Sequence, residues 1–462
     1  MRRTGWHLDL ANARDPIVSL TENVIHMLRG TSFGRVLRHR NFVLLETMGW
    51  FATTGVWFYR IGIGWLTWEL THSGAWLGFI SLAEAAPAIL LSPIAGAYTD
   101  RFDRLVMGRI IQILMVLLTA ALAALTILDL VNIWILLAFS LLHGIVASFW
   151  APVRHAIVAN VVPREDLTPA VAIHSMLFNV ARFLGPALAV PIIALWGIGY
   201  AFAVNAIGYF AYLIVLYMIT LIYPDERNER HGGIVSDVKD GLIYAFTHPA
   251  LKHLFLIVIV ASIFLRAYSE LLAGIADSMF GQQAEGFAML VSVTGLGAIG
   301  GAIWISFLTH SRRVLQAFHI SLALGLVFLT IFAATNIFWV GVASSAVLGF
   351  ALTAMNISAQ VMFQTSVKGV MRGRVMSFWS IVARAGPAIG AVIVGEAGTW
   401  LGFQAPLLGT VLLTAVVAAY VYGKRREIEN GLDRDIPTGV VAVPTAEASP
   451  ETALPMEKRP AE

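Results

Sequence analysis

The sequence has 462 residues, of which 58% are hydrophobic and only 13% are charged, with a mean hydropathy of +0.76. A soluble protein carries about 25% charged residues, so this composition excludes a soluble fold and indicates a polytopic membrane protein. The chain has no cysteine, which excludes disulfides and cysteine-ligated metals. The net charge of +3 is small, and the basic residues stand beside apolar runs, so it does not indicate nucleic-acid binding.

Residues 1–40 form a polar, basic N-terminal segment that we expect to be cytoplasmic. Four arginines lie close to the first apolar run: Arg29, Arg35, Arg38 and Arg40. The amphipathic spacing over 18–37 predicts a helix on the membrane surface. The first long apolar run starts near Phe42 and is too long for the hydrophobic region of a cleavable signal peptide.

Long apolar runs predict an all-α membrane protein with about twelve transmembrane helices. Six spans are expected in the first half, near 41–69, 75–98, 105–128, 132–159, 168–196 and 199–222. Six more are expected near 250–278, 285–308, 314–334, 337–365, 374–399 and 403–423. These sets predict one bundle over 41–222 and a second over 250–423. A cytoplasmic linker over 223–249 joins them, and a disordered cytoplasmic tail over 424–462 follows.

Lysine and arginine are segregated between alternate loops. Nearly all of them lie in both tails and in the loops at 100–104, 160–167, 223–249, 309–313 and 366–374. The loops at 70–74, 129–131, 196–199, 279–284, 335–336 and 400–402 hold none. The positive-inside rule then predicts a multi-pass protein of the cytoplasmic (inner) membrane with both termini in the cytoplasm.

A charged hairpin between the second and third spans resembles the loop signature of the major facilitator superfamily. The matching residues are Gly96, Asp100, Arg101 and Arg104. Asp103 stands where the family usually has glycine, and Leu105 replaces a second basic residue. The resemblance implies two six-helix bundles, with this hairpin latching the cytoplasmic gate.

The two halves also repeat a short pattern, which supports two parallel repeats about an axis normal to the membrane. Val180-Ala181-Arg182 before Gly185-Pro186 resembles Val382-Ala383-Arg384 before Gly386-Pro387. Each pattern falls in the fifth predicted span of its half. We interpret Arg182 and Arg384 as structural partners of loop carboxylates or helix ends.

Several stretches are similar to one branch of the superfamily, the enterobactin-exporter-like or transmembrane secretion effector group. They are 65–71, 92–104, 163–167, 179–186 and 372–377. The branch implies a proton-driven exporter of amphipathic small molecules, including siderophores and drugs. A neighbouring branch moves lysophospholipids between leaflets.

Ionisable residues inside apolar spans are functional candidates, because a charge at the bilayer centre costs roughly 2.5–3.5 kcal/mol. The family resemblance implies that helices 1, 4, 7 and 10 line a central cavity. In the first, Trp50, Trp57 and Arg60 share a face. Arg60 then contacts an anionic or aromatic substrate, pairs with Glu84, or extends outward to the membrane surface.

Three further spans contribute candidates to that cavity. In the fourth, His143 and Trp150 share a face, with His143 either a substrate contact or a satisfied core histidine. In the seventh, Arg266 and Glu270 are four residues apart and form an intrahelical ion pair or a proton-coupled pair. In the tenth, a polar ladder faces inward for substrate contact or interhelical hydrogen bonding: Asn356, Gln360 and Gln364.

Glu84 is the first proton-carrier candidate, because a neutral acid in mid-span is far less costly than a permanent charge. Glu270 is the second. No Walker loop, metalloprotease motif or nucleophile elbow occurs, so we expect no enzyme activity and no cofactor. The sequence therefore predicts a transporter of a small-molecule substrate, driven by proton antiport. The alternatives are a lysophospholipid flippase, an uncoupled facilitator, and a non-transporting membrane sensor or scaffold.

Overall fold

The computed structural model describes residues 32–221, 243, 246–248, 251–308, 311–367 and 370–425. These residues form helices, with no β-strand among them. The predicted linker at 223–249 and tail at 424–462 fall mostly outside the described residues, as does most of the amphipathic segment at 18–37. The domain boundaries therefore stay predictions.

After a short helix over Ser32–Val36, the described chain forms twelve long helices. The first half contains α1 (Arg40–Thr71), α2 (Gly74–Arg101), α3 (Arg104–Ile127), α4 (Ile133–Asn160), α5 (Leu167–Trp196) and α6 (Ile198–Met218). The second half contains α7 (251–280), α8 (Ala284–Ser306), α9 (Ser311–Ala334), α10 (Phe338–Ser366), α11 (Val370–Leu401) and α12 (Gln404–Gly423).

Eleven of these helices are long and apolar enough to cross a membrane. The exception is α1, whose hydropathy is lowered by Glu46, Arg60 and several tryptophans and threonines. Its 32 residues still extend roughly 48 Å, which exceeds the ~30 Å hydrocarbon core. Its polar composition reflects a helix that packs inside the protein, where Glu46, Thr53 and Thr54 are buried.

Helix α7 changes type in its middle. It is α-helical over Leu251–Val260, forms a π turn over Ala261–Leu265 and a 3₁₀ turn over Ala267–Ser269, and resumes as α-helix over Leu272–Phe280. Gly390 of α11 allows the backbone carbonyl of Ile263 to approach closely, where a side chain would collide. Because π turns are frequent at functional sites, this break directs attention to the neighbouring Arg266.

The two halves pack with the same pairing pattern. In the first half α1 packs on α5, α2 on α4, and α3 on α6. In the second half α7 packs on α11, α8 on α10, and α9 on α12. The halves meet where α2 contacts α11 and where α5 contacts α8. The second helix of each half thus packs on the fifth helix of the other.

We call the side with the loops at 100–104 and 160–167 the basic-loop side, and the side with the loops at 70–74 and 400–402 the non-basic side. On the non-basic side the halves are in close contact. A Cβ on Gly74 would lie 2.7 Å from the Gly395 Cα, and one on Gly78 would lie 2.6 Å from the Ala391 carbonyl carbon. Such approaches need glycine, so this side of the molecule is tightly closed.

Candidate functional site between the two halves

Six ionisable side chains from five helices form what we call the central charge cluster. Electrostatic interactions link them across the interface between the halves. The members are Arg60 of α1, Glu84 of α2, His143 of α4, Arg182 of α5, and Arg266 and Glu270 of α7. With both carboxylates ionised and the histidine neutral, three arginines exceed two glutamates by one positive charge.

Arg60 lies among charges from both halves. Its guanidinium lies 5.4 Å from the centre of the Trp57 ring, a distance that allows a cation–π contact. The charges that act on it most strongly are Glu84 of its own half and Glu270 of the other. Its side chain is nevertheless exposed, so it is not part of the packed core.

Glu84 lies beside a histidine that other contacts hold in place. The distance from its Oε1 to His143 Nδ1 is 3.9 Å, and 23% of its side chain is exposed. The His143 ring stacks on Tyr59 with centroids 4.2 Å apart, and its Nε2 is 3.4 Å from the Tyr209 hydroxyl. His143 is therefore a packed core residue that also faces the first proton-carrier candidate.

Glu270 makes a hydrogen bond across the halves. The Ser81 hydroxyl of α2 donates to Glu270 Oε2 at 2.8 Å. Arg266 Nη1 instead donates to the Ala383 carbonyl of α11 at 3.3 Å. Among the described contacts, no direct ion pair joins Arg266 to Glu270, because the turns over 261–269 interrupt the helical register that such a pair needs.

Arg182 lies in mid-span, far from the loops at either end of α5. The charged groups that act on it most strongly are two other arginines, Arg266 and then Arg60. In the described part of the chain its guanidinium has no hydrogen bond and no carboxylate partner. The carboxylate or helix-end partner expected from the sequence is therefore not found, because the residue points between the halves and not toward a loop.

The polar ladder of α10 continues from the cluster toward the basic-loop side. Arg266 and Asn356 line one narrow cleft between α7, α10 and α11. Gln360 is half-buried and Gln364 is exposed. Because residues four apart share a helix face, the exposure of this face increases toward the basic loops.

The tryptophans of the predicted cavity differ in their surroundings. Trp57 packs against Gly185 of α5 beneath Arg60. Trp150 contacts the edge of the Tyr212 ring in the core of the first half, with centroids 5.4 Å apart. Trp50 is half-buried, and its indole nitrogen has no hydrogen-bond partner in the described chain.

A buried polar pair that sequence reasoning missed joins α1 to α5. His174 Nδ1 lies 3.0 Å from both carboxylate oxygens of Glu46. The two side chains are 12% and 5% exposed. They are 128 residues apart in sequence, so no local pattern could indicate the contact.

Replacing His174 by leucine is expected to destabilise the protein by roughly 3 kcal/mol, because it leaves the Glu46 carboxylate buried without a partner. The measurement is the thermal unfolding of detergent-purified protein. The double variant Glu46→Leu, His174→Leu removes both groups and should recover most of the loss. Equal stability of the single variant and the native protein would contradict the assignment of this pair as a structural contact.

The charged hairpin is described only in part. Arg104 Nη1 donates to Asn160 Oδ1 at the end of α4. Asp103 Oδ1 accepts from the Val106 amide at 2.8 Å and so caps α3, which explains an acid where the family pattern has glycine. Gly96, Asp100 and Arg101 belong to α2, but their side chains lie outside the described structure. The latch stays a prediction.

Polar contacts also close the non-basic side above the cluster. Trp68 Nε1 of α1 donates to Asp277 Oδ2 of α7 at 2.8 Å, a bond between the halves. The Trp68 ring lies 5.9 Å from that of Phe403. The cluster therefore lies beneath a closed layer on this side.

The fold and the polar site between its halves define a multi-pass membrane transporter of the major facilitator type, and not an enzyme. The chain belongs to the transmembrane secretion effector family, whose model matches residues 31–442.

Relatives with modest identity include siderophore transporters. The chain is 26% identical to the staphyloferrin A transporter of Staphylococcus aureus over 329 residues, which cover 70% of this chain and 81% of that protein. It is 25% identical to the enterobactin exporter EntS of Shigella boydii over 374 residues, covering 75% and 85%.

Solved structures of other transporters share the fold at low identity. A bacterial homologue of the human lysosomal transporter Spinster, in an inward-facing and unoccupied conformation, gives a TM-score of 0.67 at 13% identity, covering 87% of this chain and 98% of that one. A mutant of the nucleoside transporter NupG gives 0.71 at 13% identity, covering 83% and 99%.

Proposed function

We propose that the protein is a proton-coupled exporter of an amphipathic small molecule, siderophore-like or drug-like, in the cytoplasmic membrane. Its basic-loop side, with both termini, faces the cytoplasm. The substrate binds at the central charge cluster, and the halves rock to open the cluster to either side. We assign the structure, whose non-basic side is closed, to an inward-facing state in this arrangement.

The observation that carries the proposal is the hydrogen bond from Ser81 to Glu270. The bond joins the Glu270 carboxylate of the second half to Ser81 on α2 of the first half. Ser81 is three residues from Glu84. Opening the non-basic side must separate α2 from α7 and break this bond. The protonation of Glu270, and of Glu84 nearby, then differs in free energy between the two conformations. Such a difference is what coupling requires.

The proposal is tested by transport in proteoliposomes with an imposed pH gradient of either polarity. The first substrates to try are staphyloferrin A and enterobactin, the molecules named for two relatives, with ethidium as a cationic drug-like compound. We expect the pH gradient to drive accumulation of at least one of them. Wild-type protein that accumulates none of them would contradict the proposal.

The Glu84→Gln variant tests the proton carrier in the same assay. Glutamine mimics the protonated acid at nearly equal volume, so pH-driven accumulation should be abolished. Counterflow exchange, which needs no net proton movement, should persist. Full pH-driven accumulation by this variant would exclude Glu84 as a carrier. Loss of both activities in a folded protein would instead give Glu84 a binding or structural role.

A further inference from the structure

The three arginines of the central charge cluster carry more positive charge than its two glutamates can neutralise. Arg60 interacts with both glutamates and Arg266 with Glu270, although the hydrogen bond of Arg266 goes to a backbone carbonyl. Arg182 has no carboxylate partner among the described residues. An arginine without a partner in mid-span is costly, and such residues usually face another charge or a water-filled cavity. Here Arg182 faces two further arginines.

The surroundings of Arg182 place it at the interface and not toward lipid. Gly295 of α8 packs against its backbone, where an added Cβ would lie 3.1 Å from the Arg182 carbonyl oxygen. Its strongest charged neighbours come from α7 of the second half and α1 of the first. The side chain is half-buried, so part of it stays accessible at this interface.

We propose that Arg60, Arg182 and Arg266 form a binding site for a substrate with at least two anionic groups, such as carboxylates. This inference rests on the proposed transport function and names its substrate class. Guanidinium groups bind carboxylates with two parallel hydrogen bonds, and three of them on three helices match a ligand with several acids better than a monoanion. The Trp57 ring beneath Arg60 offers an apolar surface for the rest of an amphipathic molecule.

The test is equilibrium binding to purified full-length protein, measured by the change in tryptophan fluorescence. The probes are benzene-1,3,5-tricarboxylate, tricarballylate and citrate, each compared with its neutral amide. Wild-type protein should bind at least one tricarboxylate more tightly than its amide. Arg182→Gln should weaken that binding by about 10- to 100-fold, and Arg182→Lys should weaken it less, because lysine keeps the charge but loses the bidentate geometry.

The matched control is Arg109→Gln. Arg109 is also in a helix, but its Nε donates to the Leu216 carbonyl at 2.9 Å and its guanidinium lies 4.6 Å from the Tyr217 ring. This variant should bind as the wild type does. Gel filtration and thermal unfolding establish that each variant is folded. If Arg182→Gln does not fold, the tricarboxylate affinity of Arg182→Lys tests the inference instead.

Two results would overturn the inference: amides that bind as tightly as the acids, or an Arg182 variant that binds as tightly as the wild type. Transport separates this failure from failure of the proposed function. Transport of the bound tricarboxylate that is unchanged in Arg182→Gln would overturn the anion site and leave the transporter. Tricarboxylate binding without transport of any probe would support the anion site and contradict the exporter.

Discussion

Replacing Gly78 by valine is expected to reduce transport about five- to 100-fold, because closing the non-basic side becomes costly. An added Cβ would lie 2.6 Å from the Ala391 carbonyl carbon, which belongs to the α11 backbone and cannot rotate away as a flexible side chain could. The helices must separate to accept valine, at a cost of about 1–3 kcal/mol for overpacking. That cost falls only on the closed conformation.

The conformation can be measured directly because the chain has no cysteine. Ala75 is 5% exposed and lies beside the contact between Gly74 and Gly395, so Ala75→Cys provides a single thiol at the closed interface. We expect maleimide to label this thiol several times faster when Gly78→Val is present. Gly409→Val in α12 is the control, because nothing lies within 4 Å of a Cβ there. Normal transport and slow labelling in Gly78→Val would contradict the closure.

Replacing Glu270 by glutamine is expected to abolish pH-driven transport and to loosen the same interface. The ionised Glu270 attracts Arg60 across the halves and accepts the bond from Ser81. Glutamine removes the attraction and, at best, keeps the bond. Ala75→Cys should therefore be labelled faster in this variant, and counterflow exchange should persist.

Two control variants separate the charge from other effects of the Glu270 substitution. Ser81→Ala removes the hydrogen bond but leaves the carboxylate, so its effect should be small. Glu396→Gln makes the same change in α11, where the carboxylate accepts from Trp400 Nε1 at 3.1 Å on an exposed surface. It should transport normally. If Glu270→Gln matched Glu396→Gln in both assays, Glu270 would have no part in coupling.

The helices could be predicted because their signals are local and repeated. Each span is a continuous apolar run, and the repeated pattern at Arg182 and Arg384 does fall in α5 and α11. The break in α7 could not be predicted from its residues. It depends on packing against Gly386 and Gly390 of α11, more than 100 residues away in sequence.

The candidate site was predictable in its residue types but not in its contacts. Mid-span charges are rare enough that Arg60, Glu84 and Glu270 stood out in the sequence. Their partners come from other helices, which spacing along one helix cannot show. The four-residue spacing at Arg266 predicts an ion pair within α7, but the interrupted helix does not form it. The sequence predicts a loop or helix-end contact for Arg182 because it does not show which face of α5 meets the other half.

The central claim is that substrate movement is linked to protonation of the charge cluster. It is tested most directly in proteoliposomes that contain a fluorescent pH indicator, loaded with the compound that the transport assay identifies. The account predicts that a substrate gradient alone changes the internal pH in wild-type vesicles, and that the double variant Glu84→Gln, Glu270→Gln shows no such change. Substrate that crosses the wild-type protein without any change in internal pH would contradict it.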